Sequence, residues 1–137
     1  MIVVDTGVLY AAADRRDHDH DACVALLDAH PTAELAVPTT VITETALLIR
    51  SRLGDPTEAA FVASVAAGDF TIVDLTEVDY RRCAELLATY TDLHLGLVDA
   101  SIVAVAERLA VTTLATLNDR DFRVVRPAHV DAFELVP

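Results

Sequence analysis

Short, wholly apolar runs alternate with longer amphipathic ones along this chain. Residues 2–4, 35–37, 70–73 and 111–115 are brief and rich in β-branched or aliphatic side chains, which predicts strands too apolar to face water on either side. Between them lie stretches with helical spacing of apolar positions and recognisable ends. Residues 8–13 read as the first of these and about 19–29 as the second. A helix from Thr39 or Thr40 runs to about Leu53 and stops at Gly54. Asp55 and Pro56 form a cap and a first-turn proline that open a helix closed by Gly68. Thr76, with Asp79 three residues on, starts a helix to about Tyr90, and residues 98–109 form another. Val124 and Val125, just before Pro127, read as a last short strand.

Alternating strands and helices of these lengths predict an α/β fold: a short-stranded parallel sheet with helices on both faces, in one domain spanning 1–137. The 53% hydrophobic content is above the usual range, so part of the apolar surface is expected to be covered by another chain. No apolar run has membrane-spanning length, and the chain enters a strand at once without a basic leader, so a cytoplasmic, membrane-free protein is expected. Cys23 and Cys83 lack metal-type spacing and read as two buried thiols. The "DRRDHDHD" run from Asp14 to Asp21 reads as a hydrated loop, with His18 and His20 as weak alternatives for metal binding.

Charge narrows the picture. A net charge of −12 excludes binding of polyanions by bulk attraction, and all ten basic residues are Arg, which favours bidentate contacts. An acidic protein can still act on nucleic acid where bound cations invert the sign of its site. The tripeptide Asp5-Thr6-Gly7 has two readings. It is the signature of half an aspartic protease site, but that architecture is all β with glycine-rich turns, whereas this chain has four glycines and several helices. The second reading places Asp5 at the carboxyl end of a parallel strand, where ligands of α/β sheets gather, with Gly7 easing a tight turn. Glu44 lies among apolar helix neighbours, where an unpaired carboxylate is costly. Asp99 opens a helix whose face continues apolar. In "TLNDRDF", Asp119 and Asp121 compete for one more inward position, with Asn118 beside them. Together these acids predict an oxygen-lined pocket for a hard cation, Mg²⁺ or Mn²⁺.

The motifs "VVDTGVLYAA", "TTVITETALLIRSRLG", "LHLGLVDASIVAVAERL" and "LATLNDRDFRVVRP" resemble, in order and spacing, the PIN-domain ribonucleases, and particularly VapC-type toxins of toxin–antitoxin pairs. The resemblance covers nearly the whole chain. It implies a Rossmann-like PIN fold, RNA cleaved by Mg²⁺- or Mn²⁺-activated water, a homodimer, and a cognate VapB-type antitoxin. It makes Asp5 and Asp99 the main metal ligands, Glu44 a metal or supporting carboxylate, Asp119 the fourth acid and Thr6 a supporting hydroxyl. Related sequences carry Thr or Ser two residues before the last Asp. Here Thr116 stands two before Asn118, so the fourth position stays open among Asn118, Asp119 and Asp121. Arg120 and Arg123 are the cations nearest to hand for flanking phosphates. A different class of function keeps the fold without catalysis: a binding module whose acids hold a structural cation or a partner's Arg.

Overall fold

The computed structural model describes all 137 residues. Five parallel strands, β1 (Ile2–Val4), β2 (Leu35–Pro38), β3 (Thr71–Val73), β4 (Thr113–Ala115) and β5 (Glu134–Val136), form one sheet in the order β3-β2-β1-β4-β5. Every residue of β1 and β2 is buried, so both faces of the sheet centre are covered. Seven helices supply that cover: α1 (Thr6–Ala13), α2 (His20–Asp28), α3 (Thr39–Leu53), α4 (Asp55–Ala67), α5 (Glu77–Thr89), α6 (Leu97–Leu109) and α7 (Asp119–Val124). The α/β architecture expected from the sequence is thus the observed one. No helix is long and apolar enough to cross a membrane.

Local chemistry accounts for most boundaries. Thr76 Oγ1 accepts from the Asp79 amide at 3.2 Å while Asp79 Oδ2 accepts from the Thr76 amide at 2.9 Å, a reciprocal cap that starts α5 where expected. Gly68 ends α4 in the left-handed region, φ 85°, which glycine enters without a Cβ penalty. α6 is the core's axis: Ala100 through Ala106 are all buried, and the helix packs on β1 and β2.

Three expectations are corrected. Val124 is not in a strand; it ends α7, and the final strand is β5. Asn118 Oδ1 accepts from the Asp121 amide at 3.4 Å, Arg123 reaches back to Asp119 one turn earlier, and Phe122 is buried, so this segment satisfies itself as a helix. Gly7 makes no tight turn: it lies in the first turn of α1, and a Cβ there meets only the Leu117 side chain at 3.6 Å. Asp55 is the first residue of α4 rather than its cap, and pairs with Arg50. Both cysteines are buried and free, with burial pushing each thiol up to about 11. His20 Nδ1 lies 2.8 Å from the Ala11 carbonyl, and His18 stands in solvent beside Asp19.

Candidate functional site

The sheet order reverses between β1 and β4, so the crevice beyond their carboxyl ends is where such a sheet binds ligands. The residues directly following these two strands are Asp5 and Thr116. The Asp5 amide donates to the Ala115 carbonyl at 2.9 Å, and the Thr116 hydroxyl donates to Asp5 Oδ2 at 2.7 Å. Asp5 Oδ1 accepts from the Thr6 amide at 2.7 Å. Thr6 uses its hydroxyl in the other direction, donating to Glu44 Oε2 at 2.6 Å and so joining the start of α1 to α3. Asp5 is only 7% exposed. Burial pushes its carboxyl up, against the pull of the Thr116 and Thr6 donors, and the Glu44 charge pushes the same way.

Asp99 enters from the first turn of α6. Its Oδ2 accepts from the Gly96 amide at 3.4 Å, a long cap bond that leaves most of its acceptor capacity unused. Burial, then the Asp5 carboxylate, then Glu44 and Asp121 push the Asp99 carboxyl up to about 6. Asp99 therefore stands in the field of Asp5, Glu44 and Asp121, although Glu44 and Asp99 are 55 residues apart in sequence.

Helix α7 divides its acids. Asp121 Oδ2 accepts from Asn118 Nδ2 at 3.0 Å, with its charge reaching Asp99. Asp119 is half exposed and paired with Arg123 at 3.0 Å, so the structure does not bring it to the other acids. Arg123 is thereby occupied, and Arg120 lies 4.0 Å from Asp121. Thr116 is the site residue that sequence reasoning did not assign: it follows β4 as Asp5 follows β1, and that parallel was the available signal. Its hydroxyl also accepts from the Asn118 amide at 3.0 Å, tying the turn to the tip of β1.

Beside Glu44 a cavity of about 440 Å³ opens among Thr40, Thr43, Leu47, Tyr80 and Val98. No three acidic, cysteine or histidine side chains are already drawn together as ligands of an ion. The donor set nonetheless suits a hard cation. It consists of carboxylate and hydroxyl oxygens, and two of its carboxyls, Asp5 and Asp99, are pushed up by burial and by neighbouring carboxylates, a repulsion that a divalent charge would cancel.

The PIN domain family model matches residues 2–126, all four acids included. The chain belongs to the PIN domain family. This PIN domain is 29% identical over 136 residues to Ribonuclease VapC26 of Mycobacterium tuberculosis, covering 99% of this chain and all of that one. Its fold matches that of the M. tuberculosis toxin VapC20, described as cleaving the sarcin–ricin loop, with a TM-score of 0.81 and 20% identity over 88% of this chain and 92% of that one. It also matches a chain of VapBC2 from Rickettsia felis bound to a promoter DNA fragment, at TM-score 0.68 and 18% identity over 98% and 97% of the two chains. The sheet and helices are those of the PIN fold, and the resemblance to VapC-type toxins extends along the whole domain.

Proposed function

We propose that this PIN domain is a Mg²⁺- or Mn²⁺-dependent ribonuclease acting as the toxin of a toxin–antitoxin pair. The observation that carries this reading is the network at the switch point of the sheet, where Thr116 and Thr6 tie Asp5 and Glu44 together and the charges of Asp5, Glu44 and Asp121 act on Asp99. The likeness to Ribonuclease VapC26 supports the activity and the class. Asp5 and Asp99 would hold the cation, Glu44 would complete the set, and Asp121 rather than Asp119 would serve as the fourth acid, because it is the Asp121 charge that reaches Asp99.

A divalent cation held by these residues would supply charge neutralisation at the scissile phosphate and a more acidic water as nucleophile. The chain's own residues prepare that chemistry. Thr116 and the Thr6 amide fix both oxygens of Asp5, so this ligand reorganises little on binding. The Thr6 hydroxyl holds Glu44 toward the crevice. Leu47 and Tyr80, which line the cavity beside Glu44, and Val78 and Leu97 elsewhere on α5 and α6 are large apolar side chains left exposed, which supports a homodimer that covers them. A VapB-type antitoxin is the partner that the family likeness favours, with the cytoplasm as the compartment.

The direct test is cleavage of cellular RNA by the purified protein in Mn²⁺ or Mg²⁺. Activity is expected to vanish in EDTA and return with either ion. Induced expression should arrest growth unless the neighbouring antitoxin gene is also expressed. Because no three acids are pre-closed on one point, a non-catalytic cation-binding module is the competing reading; saturable Mn²⁺ binding with no RNA cleaved would favour it.

Thr116→Val removes a buried donor from Asp5 and leaves the Asn118 amide without its acceptor. The Mn²⁺ concentration for half-maximal cleavage should rise about 10- to 100-fold, the usual loss when a ligand's supporting hydrogen bond goes. Thr116→Ser should recover most of it. An unchanged metal titration would detach Thr116 from the site.

A further inference from the structure

The nuclease reading leaves open how so acidic a protein holds RNA. With 22 acids against ten arginines, a guanidinium without a carboxylate partner is worth locating. Six arginines, Arg50, Arg81, Arg82, Arg108, Arg120 and Arg123, have a carboxylate oxygen within 4.0 Å. Four do not, and three of these, Arg15, Arg16 and Arg52, line a single cavity of about 460 Å³.

That cavity is built rather than incidental. The Arg52 guanidinium carbon sits 5.0 Å from the centre of the Tyr10 ring, a cation–π contact that holds the head group in place. The Tyr10 hydroxyl donates to Asp14 Oδ2 at 2.7 Å, and Asp14 Oδ1 accepts from the Arg16 amide at 3.0 Å. The one carboxylate in the lining is thus bound by a phenol and an amide, and forms no ion pair with the three guanidiniums. The cavity is left locally positive in a protein of net charge −12.

Its position relates it to the acids. The same two helices bracket both places. α1 meets α3 through Thr6 and Glu44 at the acidic end and through Tyr10 and Arg52 at the other. Glu44 and Arg52 are two turns and a little more apart on α3, about 12 Å along its axis. Glu44, Leu48 and Arg52 follow one another at four-residue spacing, so one stripe of α3 leads from the acids to the arginines.

We propose that Arg15, Arg16 and Arg52 bind backbone phosphates of the RNA strand whose scissile bond lies among Asp5, Glu44 and Asp99. The proposal rests on the nuclease reading above. Planar guanidiniums match phosphate oxygens bidentately. An acidic protein segment is the other anion of suitable sign. It is disfavoured because only Ala13 and Leu53 supply apolar lining, too little to anchor a peptide side chain. The strand would cross from a cation-neutralised centre to a guanidinium-neutralised one, which answers the repulsion expected from the net charge.

The test uses a fluorescein-labelled, mixed-sequence 20-nucleotide single-stranded RNA, with binding followed by anisotropy in Ca²⁺ and the intactness of the strand checked on a gel. The variants are Arg15→Ala with Arg16→Ala, Arg52→Ala, Arg52→Lys, and Arg81→Ala as a charge-matched control on α5. Affinity should fall about tenfold in the double variant, and the slope of log affinity against log salt should shrink by about 0.7 for each phosphate that is no longer neutralised. Arg52→Lys should fall between native and Arg52→Ala, and Arg81→Ala should match native protein. Equal losses in Arg81→Ala would reduce the effect to bulk charge and overturn the site. Unchanged RNA binding, with or without weaker binding of a polyglutamate peptide, would also overturn it. Native protein that binds but never cleaves, and whose arginine variants no longer bind, removes the nuclease reading and leaves the phosphate site standing. Native protein that does not bind removes both.

Discussion

Asp99→Asn is expected to cut metal-dependent cleavage severely while making the metal-free protein more stable. The two effects share a cause. The Asp99 carboxyl is pushed up to about 6 by burial and by Asp5, Glu44 and Asp121, so its charge is held in a place that disfavours it. Between the ordinary carboxylate value of 3.8 and about 6, the folded chain binds the proton more readily than the unfolded chain. Stability therefore falls as pH rises through that window, and the penalty is complete above it. Asparagine keeps the shape without the charge. At pH 7.5 in EDTA the variant should melt a few degrees higher than native, a gain of about 1–2 kcal/mol once solvent screening is allowed for. The gap should close as pH approaches 4. Mn²⁺ should raise the melting temperature of native protein and do little for the variant. Cleavage should fall by about two to three orders of magnitude, as when a main electrostatic contact to the transition state is removed. A variant that cleaves at the native rate would take Asp99 out of the mechanism. One that melts no higher at pH 7.5 would show that its charge is not crowded.

The second large effect concerns stability alone. Asp79, 3% exposed at its side chain, receives Arg108 Nε at 3.1 and 3.0 Å, and Arg108 Nη2 also donates to the Asp74 carbonyl at 2.9 Å. Burial by itself would push the Asp79 carboxyl up; the Arg108 guanidinium and the Thr76 amide outweigh it and hold the carboxyl below its ordinary range. Arg108→Met leaves a buried carboxylate with only its cap bond. Breaking such a pair from one side costs about 3–5 kcal/mol. Urea unfolding at pH 7 should show a loss near the lower figure, because the Thr76 amide remains. A depressed carboxyl contributes its stability above the unfolded value and loses it as pH falls through the folded one. The difference between native and variant should therefore shrink below about pH 4. A loss under about 1 kcal/mol at pH 7 would mean that water reaches Asp79 and replaces the arginine.

How much of this could be read in advance differs from place to place. The reciprocal cap of Thr76 and Asp79 was legible because its four residues carry all the partners it needs. α7 was not: Val124, Val125 and Pro127 look like the end of a strand, and only the burial of Phe122 together with the Asn118 cap makes the segment helical. A helix this short has too few residues for a periodic signal, so its packing decides. Asp5 carried its position in the local pattern, at a strand tip. Glu44 did not, because it is exposed and the buried stripe of α3 runs through Val41, Thr45 and Ile49, so the Thr6 hydroxyl and not apolar packing sets its place. Nor did the local pattern settle the choice between Asp119 and Asp121, since two residues on a helix start point about 200° apart and either could face inward.

What the sequence determined by itself is the alternation of strand and helix, and the placement of Asp5 and Asp99 where burial leaves a carboxylate costly. Those are short-range properties, set by side-chain period and by caps. The tertiary structure decided which carboxylates share a field, that Thr116 serves Asp5 across 111 residues, and which arginines are left unpaired. Such facts depend on strand order and on the packing of α1 against α3, and no local pattern specifies either. Charges act through space, so their meaning is settled only once the chain has chosen its neighbours.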